Sequence, residues 1–261
     1  MKMTKKQTLA QTRSSAAIRS MYAKELDDLI KEMFRSTKYW IVANYKKDEP
    51  TIAMDANIFS IMKKAVSKLT KQWQKNFNDI AEKLANRFVD KAVNHSDISL
   101  KDAFKKAGFT VDFKMTDDMK VKVAASVEEN VQLIKSIPQK YFDDLSFIVN
   151  QGIQRGFDVG HISEQIQLKY GVTRRRAAFI ARDQTNKVHS VITQQRQIDL
   201  GVTQGEWVHS HAGKKPRLSH LKAGQQKLVF DLKKGAYIDG EWILPAQLPN
   251  CRCGWKAVLP W

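Results

Sequence analysis

The sequence predicts an α+β fold, with a mainly α-helical body of long N-terminal helices followed by a small β-rich C-terminal domain. The first observation is that residues 51–107 contain neither glycine nor proline. The second is that apolar residues in this stretch recur at steps of three and four, the spacing of one helix face. The third is that the helical pattern stops at Gly201, after which glycine and proline are frequent and apolar runs are short.

The chain is predicted to have three segments. Residues 1–20 are polar, small and basic without apolar periodicity, and are expected to form a flexible basic arm. No apolar stretch follows the arm's first basic residues as it would in a signal peptide. Residues 21–139 form a helical N-terminal region. Residues 140–261 form the C-terminal domain, which is helical to residue 200 and β-rich from residue 202.

Local signals set the helix boundaries in the N-terminal region. Within the 51–107 helix, Trp73 and Phe77 fall on the apolar face and are assigned to the core. The polar run 94–99 is predicted to break this helix, and Gly108 to end the part that follows. A further helix over 116–138 is expected to stop at its proline.

Three helices are predicted between this proline and the β-rich part. One covers 138–154, and a short one over 163–170 closes at Gly171. The third is the best marked, because Thr173 can cap it and Gly201 can end it.

One side of the last helix is strongly basic. Its cationic residues are Arg174, Arg175, Arg176, Arg182, Lys187 and Arg196. Such a row is either a ridge that contacts phosphates or a set of solvated and salt-bridged side chains. The first interpretation makes the candidates for nucleic-acid contact Arg174, Arg175, Arg176, Arg182 and Lys187.

The β-rich part is predicted from short apolar runs joined by turns. Runs around Trp207, Phe230, Trp242 and Trp255 are typical of strands. The dipeptide Asp239-Gly240 between two extended runs predicts a β-hairpin.

Cysteine and histidine are concentrated near the C-terminus. Cys251 and Cys253 are the only cysteines, and a disulfide across one residue would be strained, as suits a reducing cytosolic origin. Thiolate and imidazole are ligands that zinc prefers, so one structural zinc ion is one interpretation. Its predicted ligands are Cys251, Cys253, His220 and His209, with His211 as a competitor. Metal-free packing of the two buried cysteines is the alternative.

The same region also allows a catalytic interpretation. In a ribonuclease-like reaction His209, His211, Arg217 and His220 would act as acids, bases and phosphate clamps. No carboxylate partner is evident, and the chain has no P-loop, Gly-x-Ser-x-Gly or His-Glu-x-x-His motif. No catalytic residues and no enzyme activity are therefore expected.

Two turn features are predicted to shape the cysteine pair. Pro249 and Asn250 indicate a fixed turn that presents Cys251 and Cys253. Arg217 is expected to hold the neighbouring loop through bonds to carboxylates or carbonyls.

Several of these motifs resemble one family, in the family's order. The run Arg174-Arg-Arg-Ala-Ala-Phe-Ile-Ala-Arg-Asp-Gln-Thr-Asn-Lys is similar to the helix signature of the phage Mu F-like minor head proteins, the phage head morphogenesis domain. Gly201-Val202, the Trp207 strand, the Pro-Arg-x-x-His220 turn, the Phe230-Asp-Leu segment with Gly235 and the closing Pro249-Asn-Cys-Arg-Cys follow. The resemblance covers residues 140–258. Two positions depart from it: Asp183-Gln184 replaces Thr-Glu, and Pro245-Ala246 replaces proline-glycine.

The resemblance implies a minor capsid protein of a tailed phage or prophage, present in few copies in the procapsid. It implies as partners the portal protein, the major capsid protein or scaffold, and double-stranded phage DNA bound non-specifically. The net charge of +17 agrees, because a basic field attracts nucleic acid, although a merely soluble surface could share it. The implied location is the capsid interior near the portal, and the host cytoplasm during assembly. A nuclease and a standalone nucleic-acid-binding protein are the alternatives.

The hydropathy pattern predicts no association with a membrane. No apolar run approaches the roughly 18 residues that a spanning helix requires.

Overall fold

The computed structural model describes residues 7–46, 55–154, 159–212 and 215–260. Its helices are α1 (Ala16–Lys46), α2 (Asp55–Lys106), α3 (Asp117–Gln154), α4 (Val159–Asp199) and α5 (Leu218–Gln225). Its strands are β1 (Gln204–Val208), β2 (Val229–Asp231), β3 (Ala236–Ile238), β4 (Glu241–Ile243) and β5 (Gly254–Val258). The predicted class, a mainly helical body with a small β-containing C-terminal part, is confirmed.

The chain divides into two compact units. The first combines Met1–Arg19, Asn86–Val127 and Ala181–Trp261, and the second combines Ser20–Ala85 and Glu128–Ile180. This division does not fall at the predicted boundary near residue 140, because α1, α2, α3 and α4 each contribute residues to both units.

The second unit is built from helices. Its core includes Leu26 and Ile30 of α1, and Trp73 and Phe77 of α2 are buried as predicted. A polar contact also lies inside, where the Tyr22 hydroxyl donates to the Asn130 side-chain oxygen at 3.1 Å. Burying both partners together satisfies the hydroxyl, which would otherwise be costly to desolvate.

The first unit contains all the strands described. β1 is central in an antiparallel sheet of order β2-β1-β5, and β3 pairs with β4. Between β3 and β4, Asp239 and Gly240 have φ angles of 55° and 87°. Two successive left-handed residues are the signature of a type I′ turn, so the predicted hairpin is confirmed.

Aromatic residues form the core of the first unit. Trp207 on β1 packs against Phe230, whose ring in turn contacts Trp255 on β5. Gly205 allows this packing, because a Cβ atom there would lie 2.8 Å from Trp255 and 3.0 Å from Phe230. The indole N–H of Trp255 donates to Gln197 of α4 at 2.7 Å, which ties the sheet to the helix.

The expected flexible arm differs from the structure over residues 7–20. The Leu9 amide donates to the Ala257 carbonyl, and the Leu259 amide donates to the Gln7 carbonyl, both at 2.9 Å. Leu9 is 1% exposed, and α1 already begins at Ala16. A single buried leucine and free hydrogen-bonding groups on the edge of β5 order this segment, a signal too short for periodicity to reveal. Residues 1–6 lie outside the described residues.

The predicted break over 94–99 is wrong. α2 continues through this run, and the Ser96 hydroxyl donates to the Ala92 carbonyl one turn earlier at 2.7 Å. The polar residues therefore find partners within the helix, while Val93 and Leu100 on either side remain buried.

The predicted helix ends at Pro138 and Gly171 are also wrong. α3 runs through Pro138, whose neighbour Ile137 is buried, as is Tyr141 in the next turn. α4 runs through Gly171 without interruption. The local cost is about 1 kcal/mol for a glycine and about 3 kcal/mol for a proline, which tertiary packing can outweigh. None of the helices in the described ranges combines the length and apolar character of a membrane span.

Candidate metal centre

Three potential metal ligands meet in the first unit. His220 lies in α5, and Cys251 and Cys253 lie just before β5; all three are less than 10% exposed. The Cys251 sulfur is 3.5 Å from Nδ1 of His220, and the Cys253 sulfur is 3.8 Å from the same atom. Both cysteines are free thiols. The structure therefore brings together three of the four predicted ligands.

The local backbone explains why both sulfurs point to one place. Asn250 adopts a left-handed φ of 62°, and the Cys251 amide donates to the Leu248 carbonyl at 2.9 Å. These features form the predicted turn. The chain then leaves the turn towards β5, and alternate residues of an extended chain face the same side.

Two side chains hold this turn. Arg217 donates to the Pro249 carbonyl at 3.0 Å, as predicted. Asp183 of α4 accepts the Asn250 amide at 2.7 Å. The sequence does not predict this role of Asp183. A buried carboxylate that accepts a backbone N–H is a common way to fix a turn, but its partner is distant in sequence.

The hydrogen bonds around the sulfurs favour a thiolate. The Ala246 amide donates to the Cys251 sulfur at 3.3 Å. The hydrogen bond from Cys253 lowers the pKa of Cys251 below its ordinary value, with His220 contributing. The same hydrogen bond raises the pKa of Cys253 above its ordinary value. A bound cation would favour the thiolate form of both cysteines, because metal ligands bind deprotonated.

The three ligands fit a zinc ion. Zn–S bonds of about 2.3 Å and Zn–N bonds of about 2.0 Å in a tetrahedron place sulfur and nitrogen about 3.5 Å apart. The two measured sulfur–nitrogen distances, 3.5 and 3.8 Å, are close to this value. The second imidazole nitrogen, Nε2, is buried without a hydrogen-bond partner, and the ring packs edge-on against Trp207. A metal-bound histidine usually has an acceptor at that nitrogen, so this position departs from the common pattern.

His209 and His211 lie outside the ligand group within the part of the chain described. The ring nitrogen Nδ1 of His209 accepts the His211 amide at 3.2 Å, and the two rings are 4.6 Å apart. Burial lowers the pKa of His209, with a further contribution from His211. Their alternating positions in the chain do bring the two histidine rings together. Their ring nitrogens, however, do not converge with the two cysteine sulfurs on a single point.

His220 is presented by a helix that the sequence did not predict. The segment expected to be a turn continues into α5. This helix packs closely against the residue that follows β1. Gly224 permits the contact, since a Cβ atom there would lie 2.6 Å from Cβ of His209. Eight residues with a weak apolar pattern are too few for periodicity to indicate a helix.

The basic row of α4 is largely engaged within each unit. In the second unit Arg174 makes two hydrogen bonds to Asp27, and Arg176 donates to the Ser136 hydroxyl at 2.9 Å. Arg175 is exposed.

In the first unit Arg182 donates to the Asn250 side chain at 3.0 Å, and Lys187 lies 3.7 Å from Asp183. These partners favour the salt-bridged interpretation over a free phosphate ridge, and nucleic-acid contact by these residues stays a prediction.

Residues 143–255 match the family described as phage Mu protein F like protein. An uncharacterized protein of Haemophilus influenzae (strain ATCC 51907 / DSM 11121 / KW20 / Rd) is 31% identical over 199 residues, 74% of this chain and 43% of that protein. The chain thus spans less than half the length of this relative. No solved structure matches the chain significantly. The matched segment, residues 143–255, includes all three clustered ligands and is similar to the phage Mu F-like family.

Proposed function

We propose that this chain is a minor head protein of a tailed phage or prophage that enters the procapsid at or near the portal. The family match over residues 143–255 is the observation that carries the proposal. In this role the chain contacts the portal protein, and the major capsid protein or scaffold, during assembly in the host cytoplasm. It then remains in the capsid interior. The role is structural assembly, and we assign no reaction to the site.

The charge of the chain supports a second contact, with packaged double-stranded DNA. The 44 Lys and Arg residues exceed the 27 Asp and Glu residues, giving a net charge of +17. Such a field favours phosphates without reading sequence, because most of the gain comes from released counterions. DNA binding should therefore fall steeply as salt rises, and equally for two unrelated sequences of the same length.

We further propose that one zinc ion is bound by Cys251, Cys253 and His220. When bound, the ion supplies a cross-link between α5 and the turn before β5. This addition matters because the small β-containing part has a limited core, and a metal cross-link stabilises such segments. The backbone N–H bond to the Cys251 sulfur at 3.3 Å supports a thiolate at this place.

Co-expression tests the assembly role directly. The chain is produced together with the portal protein of the same phage genome, and with the portal protein of an unrelated phage as the control. We expect copurification with the first portal only, and incorporation into particles when the head genes are all present. Absence of the chain from both portal complexes and purified particles would contradict the proposal.

A cleavage assay separates this role from a nuclease. Labelled DNA and RNA are incubated with the native chain and with His220→Ala. The proposal expects intact substrates in both cases. Cleavage that is lost in the variant would instead establish an enzyme.

A further inference from the structure

A cavity of about 430 Å³ opens beside the three clustered ligands. His220, Cys251 and Cys253 all line it, together with Lys215, Arg217 and Arg252. The open side of the ligand group therefore faces this cavity. A second cavity of about 360 Å³ lies nearby, but His220 and Cys251 do not line it.

The cavity has a strongly positive wall. Lys215, Arg217 and Arg252 are cationic, and no carboxylate is among the described residues that line it. His209, which also lines the cavity, adds a polar ring. Three cations without an acidic partner attract an anion, particularly one that carries more than one charge.

Two of the cations are fixed in place by the backbone. Arg217 donates one N–H to the Pro249 carbonyl, and Arg252 donates one to the Ala212 carbonyl at 2.8 Å. Each guanidinium has five N–H groups, so donors remain after these bonds. Guanidinium groups held in this way match the spacing of oxygen atoms on a phosphate.

The start of α5 adds to the same wall. Its N-cap residue is Arg217, and no side chain caps the first turn. The N–H groups of a helix start carry partial positive charge, which favours an anion nearby. Arg217 and the adjacent Pro216 both line the cavity, so this end of the helix borders it.

The ligand count leaves one position of a tetrahedral ion to be filled. Within the residues described, His220, Cys251 and Cys253 are the one group close enough to share an ion. Zinc sites with three protein ligands take water or an exogenous ligand in the fourth position. An oxygen atom of an anion in the basic cavity would meet that need.

We propose that this cavity binds a phosphate group, with one phosphate oxygen completing the coordination of the metal. The inference rests on the zinc site proposed above. The shared chemistry is that of a phosphate, whether it comes from inorganic phosphate, from a terminal phosphate of DNA or from a phosphodiester in the DNA backbone. The burial of His220 and the cationic wall together distinguish this position from an exposed basic surface.

Cobalt substitution tests the inference, because Co²⁺ reports its ligands through its visible absorption. The full chain is loaded with Co²⁺ in phosphate-free buffer, and thiolate coordination is checked from the near-ultraviolet charge-transfer band. Inorganic phosphate is then titrated in, with sodium acetate and sodium chloride at equal ionic strength as controls. We expect phosphate to change the intensity and position of the visible bands with saturation, and the controls to leave them unchanged.

Two oligonucleotides identify the source of the phosphate. One carries a 5′-phosphate, and the other has the same sequence without it. A spectral change with both indicates a backbone phosphodiester, and a change with the first alone indicates a terminal phosphate. A change with inorganic phosphate alone indicates the free anion.

A matched pair of variants checks the cationic wall. Lys215→Gln removes a charge at the cavity, whereas Lys222→Gln removes one from an exposed position of α5 that does not line it. We expect phosphate to bind about tenfold more weakly to the first variant, as for the loss of one charge-assisted hydrogen bond. The second variant should bind phosphate as the native chain does.

The outcomes separate the two proposals. If Co²⁺ binds with the thiolate band but neither inorganic phosphate nor either oligonucleotide changes the visible spectrum, the phosphate inference is wrong and the metal site stands. If Co²⁺ produces no thiolate band, the metal site is wrong and the inference fails with it. An equal loss of phosphate affinity in both lysine variants would overturn the assignment to this cavity.

Discussion

Arg196 and Asp97 form a two-point ion pair inside the first unit. The Nε and Nη2 atoms of Arg196 each donate to one oxygen of the Asp97 carboxylate, both at 2.8 Å. The Arg196 side chain is 3% exposed, and it also donates to the Lys114 carbonyl. A residue that belongs to the basic row in the sequence is therefore a buried link between α4 and α2.

Removing this arginine should destabilise the chain. Arg196→Ala leaves the Asp97 carboxylate and the Lys114 carbonyl without their partner, so we expect a loss of about 3 kcal/mol in the free energy of unfolding. Arg175→Ala is the control, because Arg175 is exposed on the same helix, and it should cost less than about 0.5 kcal/mol. Urea denaturation followed by circular dichroism measures both. Equal effects would mean that the buried pair contributes no more than a surface charge.

Metal content should depend on the three clustered ligands and not on the neighbouring histidines. Cys251→Ser and Cys253→Ser should each release zinc and lower the melting temperature, because each removes a thiolate ligand. His220→Gln should do the same. His211→Gln is the control and should keep the metal of the native chain.

Elemental analysis of the purified chain and of these variants provides the readout. A native chain without zinc that melts at the same temperature before and after treatment with a chelator would leave metal-free cysteine packing as the explanation. The polar environment of Cys251 would then stabilise a thiolate without a cation.

The regular parts of the fold were predictable because their signals repeat. The helical face that includes Trp73 and Phe77 extends over many turns, and the Asp239-Gly240 turn has a sequence that few other conformations favour. The predicted helix ends at Pro138 and Gly171 were wrong because each relied on a single residue to end a helix. Pro138 and Gly171 both sit inside long helices, since packing along a helix outweighs a single unfavourable position.

The candidate site was predictable in its residue types but not in its geometry. The concentration of cysteine and histidine identified Cys251, Cys253 and His220. The position of His220 depends on α5, whose eight residues give no clear periodic signal. The contribution of Asp183 could not be foreseen, because it requires knowing that α4 passes the turn at Asn250.

Gly224 should be essential for the position of His220. In an ordinary helix, replacing glycine with alanine stabilises by about 1 kcal/mol. In α5 a Cβ atom would lie 2.6 Å from Cβ of His209 and 2.9 Å from its backbone nitrogen. We therefore expect Gly224→Ala to reverse the usual sign and destabilise by about 1–3 kcal/mol.

The same substitution should also weaken metal binding, because His220 lies one turn earlier on the helix that is displaced. Gln225→Ala, at an exposed neighbouring position, is the control and should retain both stability and metal. Urea denaturation and a competition assay with a zinc chelator measure the two effects. A stabilised Gly224→Ala chain would show that α5 does not rest on His209 as described.

His189 should make the stability of the chain depend on pH. Its Nδ1 lies 2.8 Å from the Ser96 hydroxyl, which gives its own proton to the Ala92 carbonyl, so Nδ1 is the donor. Its Nε2 accepts the Thr12 hydroxyl at 3.1 Å. The Nδ1 contact survives protonation, but the acceptor role of Nε2 requires the neutral ring. Burial, helped by the nearby ring of His95 at 6.1 Å, lowers the pKa of His189 from 6.5 to about 4.

Below pH 6.5, unfolding is coupled to proton uptake by His189. Between pH 4 and 6.5 the unfolded chain binds a proton at His189 that the folded chain does not, so the free energy of unfolding falls as the pH falls. Over this pH range the free energy of unfolding falls by about 3 kcal/mol through His189. Above pH 6.5 the contribution of His189 is constant. His189→Gln keeps a donor and an acceptor but cannot titrate, so it should flatten the profile relative to the native chain. Urea denaturation at half-unit steps from pH 4 to 8 makes the comparison, and parallel profiles for the native chain and His189→Gln would show that His189 titrates equally in both states.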